Sequence, residues 1–240
     1  LPGVRLAGGL APELGNLSFL SSLNLSGTEL TGHIPASLGK LPRLFSLDLS
    51  NNYLSGAVPA SLGNLTALGI LSLDSNNLTG EVPHELSNLR SVGFLTLSRN
   101  DLSGPLAQGL FNGTSSTQLS FLSLAHNSLT GDIPSAIASL QNLQVLELSG
   151  NQLSGQIPSS LFNMSSLLGL YLSRNHLSGP VPDNQSFNLP LLERVYLSKN
   201  ELTGTVPPGF GTCKYLQQLV LSYNRFTGGI PPWLSTLPEL

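Results

Sequence analysis

Residues 68–83 read LGILSLDSNNLTGEVP, and this phrase decides the fold. Versions of it recur nine times along the 240-residue chain, roughly as L-x-x-L-x-L-x-x-N-x-L-x-G-x-I-P. The copies begin at Leu20, Leu44, Leu68, Val92, Leu119, Leu143, Leu167, Leu192 and Leu216. The spacing is 24 residues except for one interval of 27 and one of 25. A fixed period of this length indicates a stack of equivalent units rather than a mosaic of unrelated elements.

A period in the twenties that is built on Leu and Asn is typical of a leucine-rich-repeat solenoid. Because each unit of a solenoid touches only its neighbours, residues 1–240 are expected to form a single domain. It comprises a partial repeat over residues 1–19, nine full repeats over 20–239, here called coils 1 to 9, and the start of a further repeat at Leu240.

The first half of each phrase alternates as a half-buried strand does. In coil 3, Leu71 and Leu73 are expected to point inward, whereas Ile70, Ser72 and Asp74 point outward. Stacking these strands predicts a parallel sheet on the concave side of a right-handed superhelix of strands and 3-10 turns, mostly β and irregular. The sequence between phrases, such as SLGNL, is predicted to form the short convex turns.

An asparagine follows eight residues after eight of the nine starts. Its amide carries two donors and an acceptor, so it can satisfy the backbone groups that a tight buried turn leaves unpaired. Coil 1 has Thr28 at this position and is therefore predicted to be the weakest coil. The L-x-G-x-I-P element that follows is predicted to be a turn, since Gly tolerates unusual φ values and Pro fixes φ.

The composition excludes several classes of function. Only 10% of the residues are charged and the net charge is −3, which gives no basic face for nucleic acid. The single cysteine, Cys213, cannot form an internal disulfide and is expected to be a small buried hydrophobe. No apolar run reaches the length that spans a membrane, and we expect no signal peptide within these residues because Leu1 already lies inside a repeat. The four histidines show no metal spacing or catalytic triad, so we expect no enzyme, metal or cofactor.

The L-T/S-G-x-I-P element after the Asn resembles the plant-specific class of leucine-rich repeat, as in SLGNLTALGILSLDSNNLTGEVP (residues 61–83). The chain is similar throughout to the ectodomains of plant receptor-like kinases, especially a large grass group related to immune receptors. The resemblance implies a ligand-binding segment on the outer face of the plasma membrane, or one secreted to the cell wall space. It implies a peptide or protein ligand and a co-receptor ectodomain as partners. The capping segments, membrane helix and kinase of that family are not in this chain, so we expect a fragment of a longer protein.

Seven Asn-x-Ser/Thr sequons are candidate glycosylation sites: Asn16, Asn24, Asn64, Asn77, Asn112, Asn163 and Asn184. Three of them, at 16, 64 and 163, lie four residues before a repeat start and are expected on the convex side. Glycans there would leave the concave sheet open. Asn24 is expected on the concave strand of coil 1, where a glycan would shield that end.

The variable, outward positions of the strands are where a partner is expected to bind. Ile70, Phe94, Phe121 and Val145 form an apolar stripe at the second position after each start, and Tyr171 and Tyr196 continue it two residues later. Contiguous exposed apolar and aromatic residues usually mark an interaction site. The alternative is that the curvature of the sheet partly buries these side chains against one another.

Charges are distributed unevenly along the same surface. Arg99, Arg174, Arg194, Lys199 and Arg225 lie on or just after the later strands, whereas Glu29, Asp48 and Asp74 occupy the early coils. This asymmetry could orient a dipolar ligand or place its acidic group over the later coils. The candidate partner-binding residues are Ile70, Phe94, Phe121, Val145, Tyr171, Arg174, Arg194, Tyr196, Lys199 and Tyr223.

One sequence feature has two interpretations, and two rival functions remain to be considered. Coil 4 has three extra residues and lacks the I-P pair, which predicts either a harmless convex bulge at 112–117 or a local change of twist. A secreted inhibitor similar to polygalacturonase-inhibiting proteins shares this repeat and is the main rival function. An ice-binding or wall protein would need a flat, regular Thr or Asn array, and the mixed concave columns argue against one.

Overall fold

The structure, a computed structural model, describes residues 1–106, 108–111, 118–183 and 187–240. These residues wind into stacked coils of short strands and 3-10 helices, and the described part contains no α-helix. The predicted fold class, a solenoid with a parallel concave sheet and 3-10 turns, is confirmed.

The concave sheet contains one strand from each coil. Its nine strands are β2 (Ser22–Asn24), β4 (Ser46–Asp48), β6 (Ile70–Ser72), β8 (Phe94–Thr96), β10 (Phe121–Ser123), β12 (Val145–Glu147), β14 (Gly169–Tyr171), β16 (Arg194–Tyr196) and β18 (Gln218–Val220). All pair in parallel, and the register is unbroken where the three extra residues intervene, because Phe94 lies opposite Phe121. The insertion at 112–117 itself lies outside the described residues, but it does not shift the concave columns.

A second parallel sheet runs along one flank of the solenoid, where the sequence predicted only a turn. Seven of its strands form one sheet: β1 (Gly8–Gly9), β3 (Leu30–His33), β5 (Tyr53–Ala57), β7 (Asn77–Gly80), β9 (Asp101–Pro105), β11 (Ser128–Asp132) and β13 (Gln152–Ser154). Two more, β15 (Ser178–Pro180) and β17 (Glu201–Thr203), pair with each other. The predicted glycine conformation is present, for example φ +78° at Gly32, but it occurs within an extended segment. The tight bend lies earlier, at the residue before each Asn, which has a positive φ in every coil.

Short 3-10 helices form the convex side, as predicted. They are Pro12–Asn16, Ala36–Lys40, Ala60–Asn64, His84–Asn88, Gln108–Leu110, Ser135–Ser139, Ser159–Asn163, Pro208–Thr212 and Pro232–Thr236. A proline precedes most of them in an extended conformation, as at Pro59 with φ −66° and ψ 125°. The fixed φ of proline therefore sets the direction in which the chain enters the convex side.

The repeated asparagines form a continuous ladder of hydrogen bonds through the core. Asn76 accepts from the N–H of Leu54 in the preceding coil at 3.0 Å. Its amide nitrogen donates to the carbonyls of Leu49 at 3.0 Å and Leu73 at 3.1 Å. Each asparagine thus satisfies backbone groups of two coils, which confirms the predicted role. In coil 1, Thr28 is fully buried, and its hydroxyl donates to the Leu25 carbonyl at 2.7 Å.

The leucines of the phrase pack into one hydrophobic core that extends from coil to coil. Leu71 and Leu73 are fully buried, as predicted. Each such side chain contributes about 1.5–3 kcal/mol to folding. Cys213 is also fully buried, and burial raises the pKa of its thiol to about 11. The thiol is therefore a packed hydrophobic group, in agreement with the sequence prediction.

Candidate functional site on the concave face

The apolar stripe lies on the concave sheet as one column in register. Ile70 pairs with Phe94, Phe94 with Phe121, and Phe121 with Val145. Ile70 and Phe94 are each 37% exposed, whereas Phe121 and Val145 are half-buried. The stripe therefore faces solvent in part, and its members also cover one another.

The aromatic rings explain this partial burial. The Phe94 and Phe121 rings stack with centroids 4.4 Å apart and an interplanar angle of 11°. Tyr171 and Tyr196 stack with centroids 5.1 Å apart and an angle of 27°. Because rings on adjacent strands stack face to face along the solenoid axis, a ligand on the sheet meets mainly their edges. Such a surface suits interdigitation with apolar side chains better than flat stacking of a sugar or base.

Gly169 lies between the two aromatic pairs, and its missing side chain leaves room that the Tyr171 ring fills. Position 169 would continue the column after Val145, but it holds no side chain. A Cβ on Gly169 would lie 2.6 Å from Cε2 of Tyr171, so the Tyr171 ring folds back over this position. Tyr196 then follows, and its hydroxyl donates to Oε1 of Gln218 at 2.5 Å. We call this surface the apolar track; its residues are Ile70, Phe94, Phe121, Val145, Tyr171 and Tyr196.

An open groove of about 430 Å³ runs beside the track across coils 4 to 8. Its floor includes the hydroxyls of Ser98, Ser123, Ser149 and Ser173. Its walls include both tyrosines of the track on one side and Arg99, His126 and Arg174 on the other. We call it the concave groove. Of the ten predicted partner-binding residues, it brings together Tyr171, Arg174 and Tyr196.

The basic candidates differ in how far they are already paired. Arg194 lies 3.8 Å from the carboxylate of its neighbour Glu193, and Arg225 lies 3.0 Å from Glu201. Lys199 lies over the Tyr223 ring at 5.5 Å from its centroid. Among the described residues, Arg99 and Arg174 make no ion pair within 4.0 Å, and both are exposed. Arg99 was noted in the sequence as a strand-end cation, yet its position in the groove is a structural finding.

Acidic groups of the concave face are held by local hydrogen bonds. Glu147 accepts from the N–H of Ser149 at 2.9 Å. Asp74 accepts from the Thr96 hydroxyl and from the N–H of Ser98 at 2.6 Å. Burial raises the pKa of the Asp74 carboxyl above its ordinary value of 3.8, and these two hydrogen bonds only partly offset that rise. Asp74 in coil 3 and Glu147 in coil 6 are thus already hydrogen-bonded, whereas Arg99 in coil 4 and Arg174 in coil 7 have no ion-pair partner within 4.0 Å among the described residues.

The predicted glycosylation sites separate by face. Asn16, Asn64 and Asn163 each end a convex 3-10 helix and are exposed. Asn77 is exposed on β7 of the flanking sheet. Asn24 lies on β2 of the concave sheet, where its side-chain oxygen accepts from the N–H of Ser26 at 3.0 Å and from the Ser26 hydroxyl at 2.8 Å. Asn112 and Asn184 lie outside the described residues.

Within the described residues, no three His, Cys, Asp or Glu side chains come close enough to hold a metal ion. The same part of the chain has no helix that is long and apolar enough to cross a membrane.

The fold and the site define a solenoid whose variable concave surface is built for binding. Models of the leucine-rich repeat match residues 19–41, 47–102, 117–177, 191–213 and 215–237. The chain belongs to the leucine-rich-repeat family. Its resemblance to the ectodomains of plant receptor kinases is also confirmed, by the solved structures that it matches. A search of curated protein sequences gave no match.

Three solved structures illustrate the resemblance. The plant peptide hormone receptor RGFR1, in complex with RGF2, matches with a TM-score of 0.93 and 35% identity over 98% of this chain and 37% of the receptor chain. The Arabidopsis receptor kinase HAESA, in complex with the peptide hormone IDA and the co-receptor SERK1, matches with a TM-score of 0.88 and 36% identity, over 98% and 43% of the two chains. A plant ice-binding protein matches with a TM-score of 0.85 and 34% identity, over 95% and 72%. The chain therefore spans less than half the length of the two receptors.

Two functional features escaped the sequence analysis. One is the flanking sheet, in which the residue after the Leu in or next to each strand is Ser or Thr in coils 1 to 8: Thr31, Ser55, Thr79, Ser103, Thr130, Ser154, Ser178 and Thr203. The alternation of Leu and Ser/Thr could have revealed it. The other is the folding of Tyr171 over Gly169, which depends on a side-chain rotamer that no sequence pattern specifies.

Proposed function

We propose that this chain is the ligand-binding segment of a plant cell-surface receptor kinase and binds an extended peptide along its concave face. The observation that carries the proposal is the apolar track, which runs unbroken over coils 3 to 8 beside the concave groove. Aromatic side chains in contiguous, partly desolvated positions are the usual anchors of a binding interface. The asparagine ladder holds the strands in fixed register, so the surface is preorganised for its ligand.

The dimensions of the concave face suit a short extended chain. Coils 3 to 9 are separated by six steps of about 4.8 Å, or about 29 Å in total. An extended peptide covers this length with about nine residues at ~3.3 Å each. Such a peptide would place alternate side chains toward the track, where ring edges leave gaps for apolar groups.

The solved relatives support a peptide as the ligand. RGFR1 and HAESA are both receptors whose structures contain a peptide hormone, and HAESA also has a co-receptor bound. We extend this to a receptor on the outer face of the plasma membrane, with a peptide or protein ligand, a co-receptor ectodomain as second partner, and a kinase supplied by the parent protein. The exposed convex sequons at Asn16, Asn64 and Asn163 agree with an extracellular glycoprotein, since glycans there leave the concave face open.

A display selection tests this proposal. A random nonapeptide library is selected against the chain, and the affinity of the enriched peptides is measured for the chain and for the triple variant Phe94→Ala, Phe121→Ala, Tyr171→Ala. We expect at least a tenfold loss of affinity in the triple variant with an intact circular-dichroism spectrum. The control variant is Ser22→Ala, Ser46→Ala, which alters the same column in coils 1 and 2 and should bind normally. Equal affinity for the chain and the triple variant would exclude the apolar track as the binding surface.

The main rival, a secreted inhibitor of a wall-degrading enzyme, gains no support from the three structures described above. The sequence that follows residue 240 in the parent protein separates the two: a membrane helix and kinase fit a receptor, and a short capping segment fits an inhibitor.

Ice binding is a second candidate that one observation favours. The Ser/Thr column of the flanking sheet is the regular hydroxyl array that the concave columns lack, and one solved relative is a plant ice-binding protein. Against it, the next outward column carries unlike side chains such as His33, Glu81 and Asp132, which interrupt a flat surface. An ice-recrystallisation assay decides: inhibition that Thr79→Lys abolishes would establish this function, and no inhibition at micromolar protein would remove it.

A further inference from the structure

Two arginines on one rim of the concave groove have no ion-pair partner among the described residues. Arg99 in coil 4 and Arg174 in coil 7 are exposed, and neither has a carboxylate within 4.0 Å in the described part of the chain. Their backbones are fixed by the next coil, because the N–H of Arg99 donates to the Ala125 carbonyl at 2.8 Å and that of Arg174 to the Ser198 carbonyl at 2.9 Å. The two guanidinium groups therefore stand on rigid supports.

The residues between the arginines leave that rim open. Coil 6 has Gly150 at the equivalent position, and a Cβ there would lie 2.7 Å from Nδ1 of His126. The His126 ring thus leans into the space that a side chain at 150 would occupy. The acidic residue of the groove, Glu147, is tied to the N–H of Ser149. The Arg99 charge also acts on the Asp74 carboxylate, which accepts hydrogen bonds from Thr96 and Ser98, so the two permanent cations face two carboxylates that already have hydrogen-bond partners.

We infer that the concave groove recognises an acidic peptide through Arg99 and Arg174, each of which binds one carboxylate of the ligand. Coils 4 and 7 are three steps apart, or about 14 Å at 4.8 Å per step. An extended peptide covers that distance with about four residues. The ligand therefore carries Asp or Glu at two positions four residues apart, and both side chains point to the same side because an extended chain alternates with a period of two.

The other side of the same peptide meets the apolar track. Residues between the two acids alternate in direction, so those that point away from the arginines lie over Phe121, Val145 and Tyr171. Arginine forms bidentate, charge-assisted hydrogen bonds with carboxylates, which fixes the register of a ligand as well as its affinity. Hydroxyls on the groove floor, such as those of Ser123 and Ser149, can bond to the peptide backbone.

The inference rests on the proposed peptide-binding function, and one experiment separates their failures. The random nonapeptide library is selected in parallel against the chain, against Arg99→Ala/Arg174→Ala, and against Arg90→Ala/Arg43→Ala. The last pair removes the same charge from outside the groove: Arg90 is exposed on the convex side, and Arg43 lies over the Phe19 ring. We expect the chain to enrich Asp or Glu about fivefold at two positions four apart. Arg99→Ala/Arg174→Ala, the groove variant, should lose this enrichment. Arg90→Ala/Arg43→Ala, the control variant, should keep it.

The other possible outcomes of the selection overturn either the inference alone or both proposals. Peptides enriched without an excess of acidic residues, or with an excess that survives Arg99→Ala/Arg174→Ala, would overturn the inference and leave peptide binding intact. Absence of any enriched peptide would overturn both proposals.

A selected peptide gives a second measurement by fluorescence anisotropy. Replacing both of its acids by Gln should weaken binding to the chain about tenfold, since each replacement removes a charge-assisted hydrogen bond with an arginine. The same replacement should change binding to the groove variant less than twofold. An equal loss with both proteins would show that the acids act elsewhere and would overturn the inference.

Discussion

Coils 1 to 3 and coils 4 to 8 share one scaffold but present different chemistry to a ligand. Both regions have the same buried leucines, parallel strands and 3-10 turns. On the concave face, the early coils carry Ser22, Ser46 and the hydrogen-bonded Asp74, whereas the later coils carry stacked aromatic rings and unpaired arginines. Architecture therefore resides in the repeated residues, and the proposed binding surface is formed by the residues between them.

We expect the largest change in stability from a substitution in the scaffold that both regions share. Asn151→Ala leaves the Leu129 N–H without its acceptor and removes one of the two asparagine donors to each of the carbonyls of Leu124 and Leu148, which keep Asn127 and Asn175 respectively. An unpaired buried N–H costs about 1–3 kcal/mol and each lost hydrogen bond about 0.5–1.5 kcal/mol, so the free energy of unfolding should fall by at least about 2 kcal/mol. Urea unfolding measures it, and Gln152→Ala, an exposed neighbour of similar chemistry, should change stability by less than about 0.5 kcal/mol. Equal losses for both variants would show that the ladder is not the stabilising element.

Coil 1 should respond less to the corresponding change. Thr28→Ala removes one hydroxyl that donates to the Leu25 carbonyl, so a loss of about 1 kcal/mol is expected. Hydrogen exchange should also be faster in coil 1 of the unmodified chain than in coil 6, since the hydroxyl of Thr28 offers fewer hydrogen bonds than the amide of an asparagine. A loss as large as that of Asn151→Ala would contradict the prediction that coil 1 is the weakest.

A smaller change in the later coils should alter binding alone. Gly169→Ala pushes the Tyr171 ring out of its present position and interrupts the apolar track. We expect affinity for a selected peptide to fall about fivefold, with the urea midpoint unchanged because the displaced ring is the far end of a side chain that can rotate away. Gly93→Ala is the matched control, since its new Cβ meets the carbonyl oxygens of Gln118 and Gly69 at 3.5 Å and 4.0 Å, which are ordinary contact distances. Normal binding by Gly169→Ala would show that the track need not be continuous.

The smallest effect concerns Asp74 in coil 3. Because burial raises its folded-state pKa above 3.8, the folded state favours the protonated form. Stability from this group is present below the unfolded pKa and is lost as the pH rises through the folded pKa. Asp74→Asn should therefore gain stability relative to the unmodified chain between about pH 4 and pH 7. Urea midpoints across this range measure the difference, and a difference independent of pH would contradict the cause assigned here.

The sequence was sufficient for the scaffold because each scaffold position obeys a local rule that recurs nine times. The inward Leu71 and Leu73, the amide of Asn76 and the convex turns all follow from alternation and hydrogen-bond capacity. The flanking sheet was missed because a glycine with positive φ suggests a turn, although here it lies within a strand. In the site, the stripe could be predicted from its column, but the stacking of Phe94 on Phe121 and the folding of Tyr171 over Gly169 depend on rotamers. The open rim at Arg99 and Arg174 depends on which carboxylates are already paired, and sequence order does not specify that.

Photo-crosslinking of a selected nonapeptide tests the central claim most directly. A benzophenone group is placed at its first residue in one probe and at its last residue in another, and the crosslinked sites are mapped by mass spectrometry. An extended peptide on the concave face predicts that one probe labels strands of coils 3 and 4, while the other labels strands of coils 8 and 9. If both probes label one coil, or label the convex turns near Asn64 and Arg90, the peptide does not lie along the concave face.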